Sequence, residues 1–156
     1  MDAWRQMTSD DLAEVDRIAG LVHADLPESM AVLEERLALF PQGCLMTEGG
    51  YILAHPVRFG APPPLDSLLD ALAPDADALH LHDVALDPRC QGRGLGKAAM
   101  AVVQAIAQRH GLTRITLIAV HGTPEYWRRF GFADAAVSPA ALASYGAGAR
   151  YMVRDT

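Results

Sequence analysis

The sequence predicts an α/β fold with a mixed, mostly antiparallel sheet. A run of small and apolar residues at helical spacing extends over residues 95–110. It lies between two strand-like runs, residues 78–86 and the almost wholly apolar residues 115–120. A strand, a helix and a strand of this length form a right-handed parallel crossover. This unit is predicted to be the parallel part of the sheet.

A hairpin upstream of the crossover predicts the antiparallel part. Glu48, Gly49 and Gly50 are typical turn residues between two strand-like runs, residues 44–47 and 51–57. The remaining elements follow from apolar spacing and from Gly and Pro punctuation. They are strands at 4–7, 132–137 and 150–154, helices at 12–22, 30–40, 65–72 and 124–130, and a helical turn at 140–144.

Bulk properties indicate one soluble globular domain over residues 1–156, which we expect to be cytoplasmic. The composition is 51% hydrophobic and 21% charged, and no apolar run is long enough to span a bilayer. The N-terminus has no apolar signal core. A net charge of −6 argues against a nucleic-acid partner. Cys44 and Cys90 have no metal-ligand spacing, so we expect reduced thiols and no metal.

The segment Q-G-R-G-L-G, residues 91–96, lies between the central strand and the crossover helix. Glycines let the backbone approach a phosphate, and a helix start adds free N–H groups and the positive end of its dipole. A P-loop is excluded because Ala98 stands where the magnesium-binding hydroxyl belongs. A dinucleotide fingerprint is excluded because the spacing is G-x-G-x-G and the acidic ribose residue is missing.

The segment resembles the pattern [QR]-x-x-G-x-[GA] of the GNAT superfamily of N-acetyltransferases. Gln91, Gly94 and Gly96 match it, Pro88 has the usual spacing before it, and Y-W-R-R-F-G-F at residues 126–132 is similar to the second signature of the family. The resemblance is specific over residues 79–132. It implies the GNAT fold, with helices on both faces of the sheet, and acetyl-coenzyme A as co-substrate.

The resemblance also implies which residues hold coenzyme A. The backbone of the central strand would bind the pantetheine arm, and the loop and the helix start would bind the pyrophosphate. An aromatic residue four positions before the glycine of G-F would face the sulfur. The expected cofactor-binding residues are Val84, Ala85, Leu86, Gln91, Gly92, Arg93, Gly94, Leu95, Gly96, Lys97 and Trp127.

The general base, which would deprotonate the acceptor amine, is expected to be a histidine. His80 and His82 lie two apart on one strand and so share a face. The family often has a glutamate base at one of these two positions, and here histidine occupies both. An ordinary histidine pKa of about 6.5 suits a base at neutral pH. Either residue can instead be a hydrogen-bonded core histidine, and His82 is preferred. Asp83 is expected on the opposite face, and His121 is a third, weaker candidate.

The position of the expected general acid, which would protonate the departing thiolate, departs from the family pattern. Trp127 occupies the position of the usual tyrosine, and the tyrosine stands one place earlier, at Tyr126. One helical step turns a side chain by about 100°. Either Tyr126 substitutes as the acid, or coenzyme A leaves as thiolate and takes a proton from water.

The predicted function is acetyl transfer from acetyl-coenzyme A to a primary amine of a small molecule or protein. We expect the loop at 23–30 to select the acceptor, with residues 59–65 as a second candidate segment. Asp25 and Glu28 can attract an amine, and solvated loop acids are the preferred interpretation. The alternatives are an inactive acyl-coenzyme A-binding module, suggested by Trp127, and a nucleotide-phosphate-binding domain. The resemblance also allows a homodimer, and neither a membrane nor a nucleic-acid partner is expected.

Overall fold

A seven-stranded sheet organises the chain in the computed structural model, which describes residues 3–156. The strand order is β1-β2-β3-β4-β5-β7-β6. The strands are β1 Arg5–Gln6, β2 Cys44–Thr47, β3 Gly50–Val57, β4 Ala78–Leu86, β5 Arg114–Ala119, β6 Ala133–Asp134 and β7 Arg150–Asp155. The helices are α1 Leu12–Val22, α2 Met30–Leu39, α3 Leu95–Arg109, α4 Pro124–Arg128 and α5 Pro139–Leu142.

The strands pair antiparallel except at one place, so the predicted fold class is confirmed. β4 and β5 run parallel, and they pair only at Leu79 with Ile115 and at His80 with Thr116. The rest of β4, through Leu86, keeps its pairing with β3 but has no partner on the β5 side. The two central strands therefore diverge and leave a cleft between them.

A β-bulge in β4 decides which side chains face that region. Leu53 of β3 is opposite Asp83, while the next residue, Ala54, is opposite Leu81. His82 is thus an extra residue in β4. Side chains alternate along a regular strand, and one inserted residue resets the alternation. His82 and Asp83 consequently face the same side of the sheet, and the expectation that Asp83 would face the opposite side is wrong.

Helices cover both faces of the sheet. One face carries Ile52, Ala54 and Leu81, which belong to a core cluster with the buried side of α3, including Val103 and Ile106. The other face forms a second cluster with α1 and α2. Its members include Tyr51, Leu53 and Ala85 of the sheet, Val15 and Ile18 of α1, and Leu33 of α2.

The predicted helix at residues 65–72 does not form, and the segment is a loop held by α2. The Glu35 carboxylate accepts hydrogen bonds from the backbone N–H groups of Leu69 and Asp70, at 2.6 and 2.9 Å. Asp70 and Asp66 have positive φ, at 65° and 54°. A side chain from another element thus satisfies backbone donors that a helix would have used, which local spacing cannot reveal. The strand predicted at 132–137 is shorter, Ala133–Asp134.

Within residues 3–156, none of the helices combines the length and the apolar character that crossing a membrane requires.

Candidate active site

The cleft between β4 and β5 is a cavity of about 610 Å³. Its walls come from β4, β5, the glycine-rich loop, the start of α3 and α4. Most of the residues predicted to hold coenzyme A line this cavity. They are Val84, Ala85, Leu86, Gln91, Gly92, Gly94, Leu95, Gly96 and Trp127. Arg93 and Lys97 are exposed and are not part of its lining.

The glycine-rich loop presents an open, positively polarised backbone to this cleft. Gly92 and Gly94 have φ of 83° and 74°, a region that favours glycine, and a Cβ at either would meet no atom within 4 Å. Gly94 is the N-cap of α3 and supplies no side-chain cap. The first N–H groups of α3 are therefore free to bind an anion. Gln91 ties the loop to the end of β4 by donating to the Leu86 carbonyl oxygen at 3.1 Å.

Tyr126 and Trp127 both line the cleft although they are adjacent on α4. Trp127 is half-buried and packs on Phe132, with ring centroids 5.8 Å apart. The Tyr126 hydroxyl lies against the first turn of α3, where a Cβ on Gly96 would be 2.9 Å from it. Burial raises the pKa of the Tyr126 phenol. The hydroxyl is thus placed near the free N–H groups at the start of α3 and stays protonated at neutral pH.

His82 forms a close pair with Glu28 of the α1–α2 loop. His82 Nε2 lies 2.6 Å from Glu28 Oε1, and the two side chains are only 1% and 11% exposed. The other carboxylate oxygen of Glu28 accepts from the Asp66 backbone N–H at 2.9 Å. Burial disfavours the charge on Glu28, but the hydrogen bond and the attraction of His82 outweigh it and lower the Glu28 pKa. The expectation of a solvated Glu28 is therefore wrong.

The pairing fixes which nitrogen of His82 is free. An ionised carboxylate only accepts hydrogen bonds, so Nε2 carries the proton in the contact with Glu28. Nδ1 of His82 is buried and has no hydrogen-bond partner among the described residues. In neutral His82 this nitrogen keeps its lone pair, and the side chain borders the cleft.

His80 occupies a different environment from His82. It does not line the cleft between β4 and β5, nor a second, smaller cavity next to that cleft. Its residue exposure is 1%, and Nδ1 lies 2.9 Å from the hydroxyl of Thr116 on β5. Burial, together with the neighbouring His55 and His82, lowers the His80 pKa well below its ordinary value. The structure thus places His80 as a hydrogen-bonded core histidine, one of the two interpretations that the sequence allows.

Asp83 lies beside His82 and contacts two aromatic side chains. The Tyr51 hydroxyl donates to Asp83 at 2.5 Å, and His23 Nε2 lies 2.9 Å from its other oxygen. Burial opposes the charge of Asp83, but these two partners lower its pKa. Burial also opposes protonation of His23, and the attraction of Asp83 outweighs it and raises the His23 pKa. Asp83 is therefore ionised at neutral pH.

A second cavity of about 210 Å³ meets the cleft at His82 and Asp83, which line both. It lies under the α1–α2 loop and is bordered by α1, that loop and Tyr145. Asp16 and Glu28 also line it. His121, the third histidine candidate, lines neither cavity; its Nε2 lies 3.0 Å from Asp25 Oδ2, and its side chain is 46% exposed.

Sequence reasoning missed the roles of Glu28, Asp83 and Tyr51. Glu28 is 54 positions from His82, and Tyr51 is 32 positions from Asp83. No spacing rule connects residues so distant in the chain. The only available signal was the position of Glu28 in the loop predicted to select the acceptor.

Residues 23–132 match the sequence model of a protein family, described as the Acetyltransferase (GNAT) family. No curated protein sequence matches the chain. Solved structures with the same fold include Ard1 from Thermoplasma volcanium, 16% identical with a TM-score of 0.74 over 98% of this chain and 96% of that one. The GphF GNAT-like decarboxylase in complex with isobutyryl-CoA is 17% identical, with a TM-score of 0.77 over 97% and 98%. The ribosomal-protein-S18-alanine N-acetyltransferase from Escherichia coli is 16% identical, with a TM-score of 0.68 over 99% and 94%.

Proposed function

The chain belongs to the acetyltransferase (GNAT) family, and from this premise we propose that it transfers an acetyl group from acetyl-coenzyme A to a primary amine, with His82 as the general base. The observation that carries the proposal is the junction of the two cavities at His82 and Asp83. One cavity has an anion-binding loop, and the other contains ionised carboxylates. The buried imidazole lies where a donor in one would meet an amine in the other.

The cleft fits a long ligand with phosphates at one end. The edge of β4 beyond His80 has no strand partner on the β5 side, so its backbone groups there are free to hydrogen-bond an extended arm. The free N–H groups at the start of α3 lie at the loop end of the same cleft. The backbones of Val84, Ala85 and Leu86 would hold the arm, and the backbone N–H groups of residues 92–97 would hold the pyrophosphate.

His82 would remove a proton from the acceptor ammonium and so free its lone pair to attack the thioester carbonyl. Glu28 accepts the Nε2 hydrogen, which leaves the Nδ1 lone pair to take that proton. The negative charge of Glu28 then stabilises the imidazolium that forms. Positioned general bases of this kind contribute about 10²–10⁴-fold to a rate.

The thioester supplies an activated acyl group and a good leaving thiolate. A backbone N–H of β4 near Val84 or Ala85 would donate to the carbonyl oxygen as negative charge develops there. The Tyr126 hydroxyl lies beside Gly96, at the phosphate end of the cleft. We therefore assign Tyr126 to binding of the donor. The nitrogen loses its second proton to water as the amide forms, and the departing thiolate takes a proton from water.

Ligand-dependent thermal stability tests the donor. A ligand that binds only the folded state raises Tm by mass action. Acetyl-coenzyme A and coenzyme A are expected to raise Tm, and ATP at the same concentration is not. An equal rise with ATP would favour the nucleotide-binding alternative, and no rise with any ligand would overturn the proposal.

Release of free thiol from acetyl-coenzyme A, measured across a panel of primary amines, tests the transfer. His82→Asn is expected to lower kcat by about 10²–10⁴-fold, with the Tm rise from coenzyme A preserved. The matched control is His110→Asn, at an exposed position outside both cavities. Donor binding without thiol release in the wild type would favour the inactive module. Decarboxylation, the chemistry of one structural neighbour, leaves the thioester intact and would give no thiol signal.

A further inference from the structure

We propose that the 210 Å³ cavity under the α1–α2 loop is the acceptor site and that it takes a small alkylamine without a carboxylate. The inference rests on the proposed function and names the substrate class. Three features of the cavity carry it: the sign of its charge, its junction with the donor cleft at His82, and apolar walls of limited size.

The charge of the cavity favours a cation. Three carboxylates line it, from Asp16, Glu28 and Asp83. None of its lining residues, all within the described range 3–156, is Lys or Arg. The two imidazoles present, His23 and His82, each contact one of these carboxylates. Even with both imidazoles protonated, the lining keeps a net negative charge.

His82 marks the end of the cavity where the amine would react, because this residue also lines the donor cleft. The His82 side chain is 1% exposed and borders both the cavity and the donor cleft. Its Nδ1 has no partner among residues 3–156. A buried polar atom without a partner costs free energy, and an ammonium that reaches Nδ1 on binding would supply the missing hydrogen bond. The carboxylates thus attract the cation, and His82 identifies its reacting end.

The rest of the lining is mainly apolar and leaves little space. Leu26, Leu33, Leu65, Ile118 and Val120 contribute to the wall. Pockets for drug-sized ligands usually measure about 300–1,000 Å³, so 210 Å³ suits a short chain. An aliphatic body would pack on these walls. A carboxylate on the same chain would lie among like charges with no Lys or Arg of the lining to pair it.

The test compares amines of one length that differ only at the far end: n-pentylamine, 5-aminopentan-1-ol and 5-aminopentanoate. Binding is measured by calorimetry in the presence of coenzyme A, and transfer is measured by thiol release from acetyl-coenzyme A. We expect kcat/KM for pentylamine to exceed that for 5-aminopentanoate by about 100-fold or more, since like-charge contacts are strongly unfavourable. The alcohol should lie between them.

Asp16→Asn provides a second test, because Asp16 is exposed at the cavity and its replacement spares the core. The KM for pentylamine should rise several-fold with kcat unchanged. Asp10→Asn, an equal loss of charge at an exposed residue outside the lining, should change neither.

The outcomes separate this inference from the proposed function. Selective binding of pentylamine without thiol release supports the site and overturns the transfer. Thiol release with 5-aminopentanoate as good a substrate as pentylamine supports the transfer and overturns the substrate class. A peptide α-amine preferred to every alkylamine, or no binding of any amine, overturns the inference.

Discussion

The imidazole of His82 and the carboxylate of Glu28 lie 2.6 Å apart, although 54 positions separate them in the chain. His82 is the extra residue of the bulge in β4, and Glu28 belongs to the loop that covers it. The Asp66 backbone holds the second oxygen of Glu28, so three separate segments meet at this contact. The loop therefore does more than cover the cavity: it fixes the proton on one nitrogen of His82 and leaves the other nitrogen free.

Glu28→Gln should lower kcat about tenfold, because it removes the charge that stabilises the imidazolium while keeping an acceptor oxygen. Glu28→Ala should lower kcat further. The KM for acetyl-coenzyme A should stay the same in both variants, since Glu28 is not part of the cleft lining. Steady-state kinetics of thiol release measure both constants.

Glu34→Gln is the matched control for the Glu28 variants, because Glu34 is exposed on α2 and lines neither cavity. A purely structural role for Glu28 would lower the Tm and the yield of active protein but leave kcat per folded molecule unchanged. That result would contradict the positioning role of Glu28.

His80→Ala should destabilise the fold and spare catalysis. It leaves a cavity in the core and removes the partner of the buried Thr116 hydroxyl. We expect the free energy of unfolding to fall by about 2–4 kcal/mol, measured by urea denaturation. kcat at a temperature where the variant is folded should stay within about threefold of the wild-type value.

Thr116→Val tests whether loss of the hydrogen bond between His80 and Thr116 accounts for the lower free energy of unfolding of His80→Ala. The double variant should be less destabilised than the sum of the two single variants, because both remove the same interaction. If kcat fell as much in His80→Ala as in His82→Asn, His80 would instead be a catalytic residue.

Gly96→Ala should weaken binding of coenzyme A, because the added Cβ would lie 2.9 Å from the Tyr126 hydroxyl and one of them must shift. Tyr126→Phe removes that oxygen, so Gly96→Ala should cost less affinity in the Tyr126→Phe background. Calorimetric titration of the four proteins measures the coupling. Tyr126→Phe alone should leave kcat within about threefold, and a loss of 100-fold would make Tyr126 the acid after all.

Asp11→Asn should lower stability near neutral pH and have no effect in acid. Hydrogen bonds from Arg5, at 2.8 Å, and from the Thr8 backbone N–H, at 2.8 Å, lower the Asp11 pKa to about 2. Because the folded pKa lies below the unfolded value of about 3.9, the stabilisation is present above pH 4 and is lost as the pH falls toward 2. Asp11 closes a capping box in which Thr8 is the N-cap of the helical turn Ser9–Asp11, and loss of a cap costs about 0.5–2 kcal/mol.

Thermal unfolding from pH 7 to pH 2 checks this prediction, with Asp10→Asn as the control for loss of a neighbouring charge. The difference in Tm between wild type and Asp11→Asn should shrink across pH 4 to 2. A difference that persists undiminished at pH 2 would show that the ionised carboxylate is not its cause.

Most of the fold could be predicted because its signals are local. The bounds of β4 agree with the prediction, and α3 differs by one residue at its end. Apolar spacing, turn glycines and capping residues act within a few positions, so they can be read along the chain. The segment at 65–72 was predicted wrongly because Glu35, far away in the chain, supplies the hydrogen bonds.

The sequence by itself determined the family resemblance, the position of the glycine-rich loop at 91–96 and the strand that carries the two candidate histidines. Only the tertiary structure decided which of the two candidate histidines of β4 borders the cavities and which acids accompany it. The bulge arises because β4 pairs with β3, and it places Asp83 on the same side of the sheet as His82. The contact of His82 with Glu28 exists through the folding of a distant loop over the sheet. Side-chain environments of this kind arise from contacts between residues far apart in the chain, which no local pattern specifies.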